Sequence, residues 1–339
     1  MLIDMHAHVV PDSIRGPGQG LGSDRWPVVD KSGDDPVLVM GQARFTATPL
    51  WWDLEQRLAA ADAAGVDLEV ISPLPTFLNY SFAPQTGLDF CRATNEWVSR
   101  FSEHKPRHFY PLGVVPMQAP ELAAAELSNL KNQGFVGVEI SSNIAGKSLG
   151  DPQYLEFFQE AERTGMCVFV HGLGPTFAER FPPSAGAGFG IAAEIGIAAV
   201  SVVGSGLAEK CPNLRLAFSH GAGGFPLMLT RAQYFWSGTW NEAPQTETFA
   251  ARPNQPPASP AESARKYFYD SLVFDKRALR YLVDMIGADR LLIGTDFPAM
   301  QREPKAGQTL RSLDLPQADV DAITWNNCFR FIGVEPPVE

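Results

Sequence analysis

Eight short apolar runs recur along the chain, most of them separated by stretches of helical periodicity. They are Met1–Met5 (interrupted only by Asp4), Leu68–Ile71, Phe109–Val114, Phe135–Ile140, Cys167–Val170, Leu214–Phe218, Tyr267–Tyr269 and Arg290–Ile293. Continuous apolar strands are buried on both faces, as in a parallel sheet, whereas a strand with one wet face alternates. Between the runs the pattern predicts helices over Asp53–Ala64, with Leu54, Leu58 and Ala61 on one face, and over Gly87–His104, Pro120–Asn132 and Pro152–Thr164. Gly65 and Gly165 follow the first and last of these, where a left-handed residue ends a helix. Strands and helices in this order predict the α/β class and a (β/α)8 TIM-like barrel, with a doubly wound open sheet as the alternative.

Two loops, 172–190 and 238–262, and the Gly- and Pro-rich stretch 9–50 interrupt the rhythm. The last leaves the first strand at its C-terminal end, so it reads as a loop-rich insertion over the active-site face of one domain spanning 1–339. The 339 residues, 45% hydrophobic and 19% charged, suit such a barrel, and the net charge of −11 argues against nucleic acid or an anionic membrane as partner. An anionic substrate therefore needs local cations. Cys91, Cys167, Cys211 and Cys328 are scattered among apolar residues and read as reduced core thiols. With no basic leader and no long apolar run after Met1, the expected location is cytoplasmic.

The chemistry gathers where the strands end. His6 and His8 leave the first run two residues apart, and residues i and i+2 of a strand project to one side. His171, His220 and Asp296 each follow a later run. In a barrel those ends converge on one face. Singly, each residue is as well explained by a hydrogen-bonded structural histidine or a turn aspartate; five at the ends of several elements point to a divalent metal, zinc first, with manganese, iron or cobalt as alternatives. His104 and His108 flank Lys105-Pro106-Arg107 in a solvated connection and read as surface residues. His220-Gly221-Ala222-Gly223-Gly224 lacks the Gly-x-Ser-x-Gly elbow of a serine hydrolase, and Gly186-Ala187-Gly188-Phe189-Gly190 lacks the spacing and the preceding strand of a dinucleotide site. The glycine run reads instead as a lid or an approach to a helix.

Six segments together resemble the amidohydrolase superfamily, and within it the decarboxylase branch typified by 2-amino-3-carboxymuconate 6-semialdehyde decarboxylase. They are Asp4-Met5-His6-Ala7-His8, Gly137-Val138-Glu139-Ile140, Val168-Phe169-Val170-His171, Ser219-His220-Gly221-Ala222-Gly223-Gly224-Phe225-Pro226, Gly294-Thr295-Asp296-Phe297-Pro298 and Asn326-Asn327-Cys328-Phe329-Arg330-Phe331. The resemblance implies one divalent metal held by His6, His8, His171 and Asp296. It makes His220 a nearby acid/base and gives Asp296 a second possible role in moving the proton. It also implies that Arg44 and Arg231 grip the substrate carboxylate, with Arg231 supplied across a homodimer interface. Glu139, at the position where binuclear relatives bridge two metals, is expected in a structural or supporting role. Trp51, Trp52, Phe177 and Phe181 are either pocket lining or core aromatics.

The function these features imply is non-oxidative, metal-dependent decarboxylation of a small carboxylated, aromatic-derived acid. A hydrolase or hydratase on the same scaffold is the rival enzyme, and a barrel-derived binding protein is the rival outside catalysis.

Overall fold

The computed structural model describes residues 1–12, 14, 26–33, 35–40, 43–238 and 258–336. Eight parallel strands pair in chain order: β1 (Ile3–Val9), β2 (Leu68–Pro73), β3 (Phe109–Val114), β4 (Gly137–Ser141), β5 (Cys167–His171), β6 (Leu216–Phe218), β7 (Phe268–Asp270) and β8 (Leu291–Leu292). The ring is completed where Ala7 bridges Phe297, and where the backbone N–H groups of Met5 and His8 donate to the carbonyls of Ile293 (2.8 Å) and Phe297 (2.7 Å). Seven helices cross over between the strands: α1 (Leu54–Ala64), α2 (Pro84–Glu103), α3 (Pro120–Asn132), α4 (Leu155–Thr164), α5 (Ile191–Gly204), α6 (Phe225–Ser237) and α7 (Lys276–Ile286). After β8, α8 (Asn327–Ile332) closes the barrel floor with Phe329 and Phe331. The TIM-barrel expectation therefore holds, and the glycine run at 186–190 is a π-helical turn leading into α5. Among the described residues no helix is long and apolar enough to cross a membrane.

Local chemistry sets the helix ends as expected. Asp53 caps α1 by accepting from the Gln56 N–H, and Gly65 and Gly165 end α1 and α4 at φ of 74° and 67°. Alternation along the strands divides two cores. Ile3, Met5, Val70, Cys167, Phe169, Ala217, Phe268 and Leu292 fill the barrel, whereas Ile71, Val138, Ile140, Val168, Val170 and Phe218 pack against the helices. All four cysteines are free and buried.

β1 carries a departure that matters for the site. Its register against β2 slips between Asp4 and Ala7, so the strand holds one residue more than its partner there. Such a bulge flips the side-chain parity. Ile3 and Met5 point into the barrel below it, and His6 and His8 point into the barrel above it; without it the histidines would face the helices.

The stretch 9–50 is less irregular than its composition suggests. Val28–Asp30, Val37–Met40 and Ala43–Thr46 form a three-stranded antiparallel sheet. Its apolar side, with Trp26, Val29, Leu38 and Ala47, packs on Val10, Phe77, Phe82 and Phe90, which follow the C-terminal ends of β1 and β2. Most of the loop 238–262 lies outside the described residues.

Candidate metal centre and active site

Inside the C-terminal mouth, three imidazoles and a carboxylate turn toward one point. His6 Nε2 lies 3.1 Å from His8 Nε2, and Asp296 Oδ1 lies 3.5 Å from the first and 3.1 Å from the second. His171 Nε2 is 4.0 Å from the same oxygen. The donor atoms of His6, His171, His220 and Asp296 all fall within 4.8 Å of one another, and so do those of His8, Glu139 and His171. Sequence reading placed His6, His8, His171, His220 and Asp296 together, and the structure brings them together.

Each inner ring is held from behind. His6 Nδ1 is 2.7 Å from Asp270 Oδ2, His8 Nδ1 is 3.1 Å from Ser72 Oγ, and His171 Nδ1 is 2.8 Å from the Gly172 carbonyl. Tying Nδ1 leaves Nε2 of all three rings turned to the common point, which is how metal-binding histidines are oriented. The residues therefore fit a cation: His171 Nε2, His220 Nε2 and both Glu139 oxygens are buried without a hydrogen-bond partner. Such orphan groups are costly unless something charged or polar meets them.

The electrostatics of the cluster arise from burial and crowding. Burial lowers the pKa of His8, and burial together with His6 and His8 drives His171 well below the usual range. His220 is lowered by burial and by His6. Neutral imidazoles offer the lone pair that a metal or a proton takes. His6 goes the other way, up to about 9, because Asp296 and Asp270 outweigh its burial. Asp296 is held far below the carboxylate range, since His6 and His8 overcome the desolvation that would raise it. Burial pushes Glu139 well above that range.

The loop after β6 carries His220 on strained backbone. His220 and Ala222 adopt φ of 52° and 57°, and Gly223, at φ 55°, would place a Cβ 1.9 Å from the Ala192 carbonyl oxygen. Asp270 steadies this loop as well, accepting the Gly221 N–H at 3.0 Å. Neither Asp270 nor Ser72 was singled out from sequence; the only cue was a polar residue at the end of an apolar run.

Glu139 shares its side with Gly137 and Ser141 as expected, but its carboxylate stands among the donor atoms and not behind them. Arg44 is exposed on the insertion sheet, near Asp30, whose pKa is lowered chiefly by the hydroxyl and N–H of Ser32. Arg231 is exposed on α6 with its guanidinium 4.7 Å above Phe235. Among the described residues neither arginine bonds to the histidine cluster. Trp51 lies in the core with Trp26 and Phe77, Lys31 covers Trp52, and Phe177 packs on Phe181. His104 is exposed at the opposite barrel end, whereas His108 is half-buried against Phe109.

A parallel barrel with this constellation at its mouth defines a class, and residues 3–334 match the amidohydrolase family, to which the chain belongs. Over 346 residues it is 29% identical to the 2-amino-3-carboxymuconate-6-semialdehyde decarboxylase of Dictyostelium discoideum, covering 98% of this chain and 92% of that one. The 5-carboxyvanillate decarboxylase of Sphingomonas paucimobilis superposes with a TM-score of 0.77 at 23% identity, covering 98% and 99%. A dihydroxybenzoic acid decarboxylase from a Polaromonas species, solved with bound manganese and 2-nitroresorcinol, gives 0.71 at 22% identity, covering 83% and 86%. The curated relatives, decarboxylases that match along most of the chain, put it in the decarboxylase branch of the family, among carboxy-lyases.

Proposed function

We propose that this protein removes CO2 from a small carboxylated, aromatic-derived acid without an oxidant, using one divalent metal held by His6, His8, His171 and Asp296. The observation that carries the reading is the convergence of three Nε2 atoms on Asp296 Oδ1 with every Nδ1 engaged behind. Three imidazoles and a carboxylate suit zinc, and the Polaromonas relative holds manganese. When bound, the cation stabilises negative charge that develops on a substrate oxygen.

The remaining steps belong to the chain. His220 Nε2 is unpartnered and its ring is kept neutral by its surroundings, so it can accept a proton and return it to substrate. The proton goes to the carbon that bears the carboxylate. The C–C bond then breaks, its electron pair returns to the π-system, and CO2 leaves: one C–C bond is exchanged for one C–H bond. Asp296, beside His6 and His8, is assigned a second role in relaying the same proton.

Arg44 and Arg231 are assigned the substrate carboxylate, because a guanidinium fork takes a carboxylate on two oxygens. For Arg231 this needs a second copy of the chain. Ile197 and Val200 on α5 and Leu227 and Met228 on the adjoining α6 leave apolar side chains in water, which supports a homodimer through that face.

The test is CO2 release from 2-amino-3-carboxymuconate semialdehyde and from dihydroxybenzoates, with metal content measured on the same samples. Release that disappears in His171→Ala along with the metal supports the reading. Hydrolysis or hydration of these compounds with no CO2 would replace it.

A further inference from the structure

Behind the histidines, Arg57, Glu69, Arg302 and Asp4 form a buried chain of alternating charge. Arg57 Nε donates to Glu69 Oε2 at 2.8 Å, and the other Glu69 oxygen accepts from Arg302 Nη2. Arg302 Nε and Nη2 also donate to Asp4 Oδ2, at 3.1 and 2.8 Å. All four are buried, Arg302 at 8% exposed and the others at 0%.

Stability is a poor reason for such a group. Desolvating four charges is costly, and well-packed apolar residues serve as well or better. Arg57 Nη2 and Arg302 Nη1 are also buried without any partner, so the group is not optimised even as a hydrogen-bond network.

The contacts of the quartet with the site give a better reason. Arg57 Nη1 donates to the His8 carbonyl at 2.6 Å. Asp4 Oδ1 accepts the backbone N–H of His6 at 3.2 Å and of Thr295 at 3.1 Å, and Asp4 Oδ2 accepts the Thr295 hydroxyl. Asp296, next in the chain, has a left-handed φ of 57°, a conformation its neighbours must impose on a non-glycine residue. On its far side the Phe297 ring lies 3.9 Å from the Arg302 guanidinium and 5.6 Å from that of Arg57. One network therefore grips the backbone at His6 and His8, the backbone and hydroxyl of Thr295 before Asp296, and the ring of Phe297 after it.

We propose that Arg57, Glu69, Arg302 and Asp4 are positioning residues that fix the β1 bulge and the Asp296 turn in ligand geometry, so that metal affinity depends on them although none is a ligand. This rests on the reading of His6, His8 and Asp296 as ligands. The geometry explains why position 302 carries an arginine: a lysine there keeps the charge but cannot join Asp4, Glu69 and the Phe297 face at once.

The test measures metal dissociation constants by chelator competition and the visible absorption of cobalt-loaded protein, on wild type, Arg302→Lys, Thr295→Val and a control, Leu127→Ala. Thr295→Val removes one hydroxyl and no charge, so it reports if Arg302→Lys fails to fold. Leu127 is a buried α3 residue far from the site. We expect affinity to fall about 10- to 100-fold in Arg302→Lys, as for lost supports behind metal ligands, with an altered cobalt spectrum and a smaller loss in Thr295→Val. Leu127→Ala should lower Tm and leave affinity and spectrum unchanged. Unchanged affinity and spectrum in both site variants would overturn the positioning role while leaving the ligand reading intact. No metal binding by wild type would overturn both.

Discussion

His6 Nδ1 and Asp270 Oδ2 lie 2.7 Å apart, both fully buried, and this contact joins the first strand of the barrel to the seventh. The carboxylate fixes which imidazole nitrogen faces the centre and also raises the basicity of that ring. Its other oxygen accepts the Gly221 N–H beside His220, so Asp270 ties a proposed ligand to the proposed acid/base. Asp270→Asn preserves shape and removes charge. It should bind metal about 10- to 100-fold more weakly than wild type. Chelator competition checks this, and an unchanged affinity would leave Asp270 a loop anchor only.

His220 is expected to act on the proton and not on the metal. His220→Asn should therefore retain most of the metal and lose turnover by roughly 10²-fold or more, the scale of general acid/base catalysis. Metal content and kcat measured on one preparation separate the two roles. Loss of metal equal to that of His171→Ala would make His220 a ligand.

The barrel was legible in the sequence because burial on both strand faces writes continuous apolar runs, and because Gly65 and Gly165 mark where α1 and α4 stop. So were His6, His8, His171, His220 and Asp296, since a barrel collects the residues at its strand ends on one face. The β1 bulge was not legible: a run of Ile3-Asp4-Met5-His6-Ala7-His8 reads the same with or without an added residue. Asp270, Ser72 and Glu69 escaped notice because their partners are distant in the chain and meet only through the register. Arg57 of α1 escaped notice for the same reason: it is fully buried and paired with Glu69 of β2. The strands at 28–46 are three or four residues each, too short for alternation to stand out. The α5 helix is apolar nearly all round, which erases the one-sided stripe that betrays a helix.

Glu69 predicts a pH dependence of stability. Burial alone would raise its pKa, but Arg57 and Arg302 outweigh this and hold it below the ordinary carboxylate value of 4.5. Below that value the unfolded chain binds the proton first, so Glu69 stabilises the fold fully above about pH 4.5 and loses its contribution as the pH falls through its lowered folded pKa. Glu69→Gln breaks two buried ion pairs, a change worth ~3–5 kcal/mol at neutral pH. The Tm gap between wild type and Glu69→Gln should be widest near pH 7 and narrow in acid. A gap that stays constant to the acid limit would show that Glu69 is not ionised in the fold.

Arg231 separates substrate binding from chemistry. If it takes the substrate carboxylate in a neighbouring copy, Arg231→Ala should raise KM with little change in kcat, the pattern of lost uniform binding. Steady-state kinetics on the dimer fraction checks this. An unchanged KM would remove Arg231 from the site.

Glu139 decides the metal count. Its carboxyl is fully buried, and burial pushes its pKa well above the ordinary range. Burial that disfavours the charged form is in keeping with one ion held by the histidines and Asp296, whereas a second ion would need the carboxylate ionised. Elemental analysis should give about one divalent metal per chain in wild type, the same in Glu139→Gln, and none in His171→Ala. The glutamine keeps the volume of the side chain and removes only its capacity for charge. Two equivalents in wild type, falling to one in Glu139→Gln, would make this carboxylate a ligand of a second ion. Paired metals favour attack by activated water, so that result would shift the reaction from loss of CO2 toward hydrolysis.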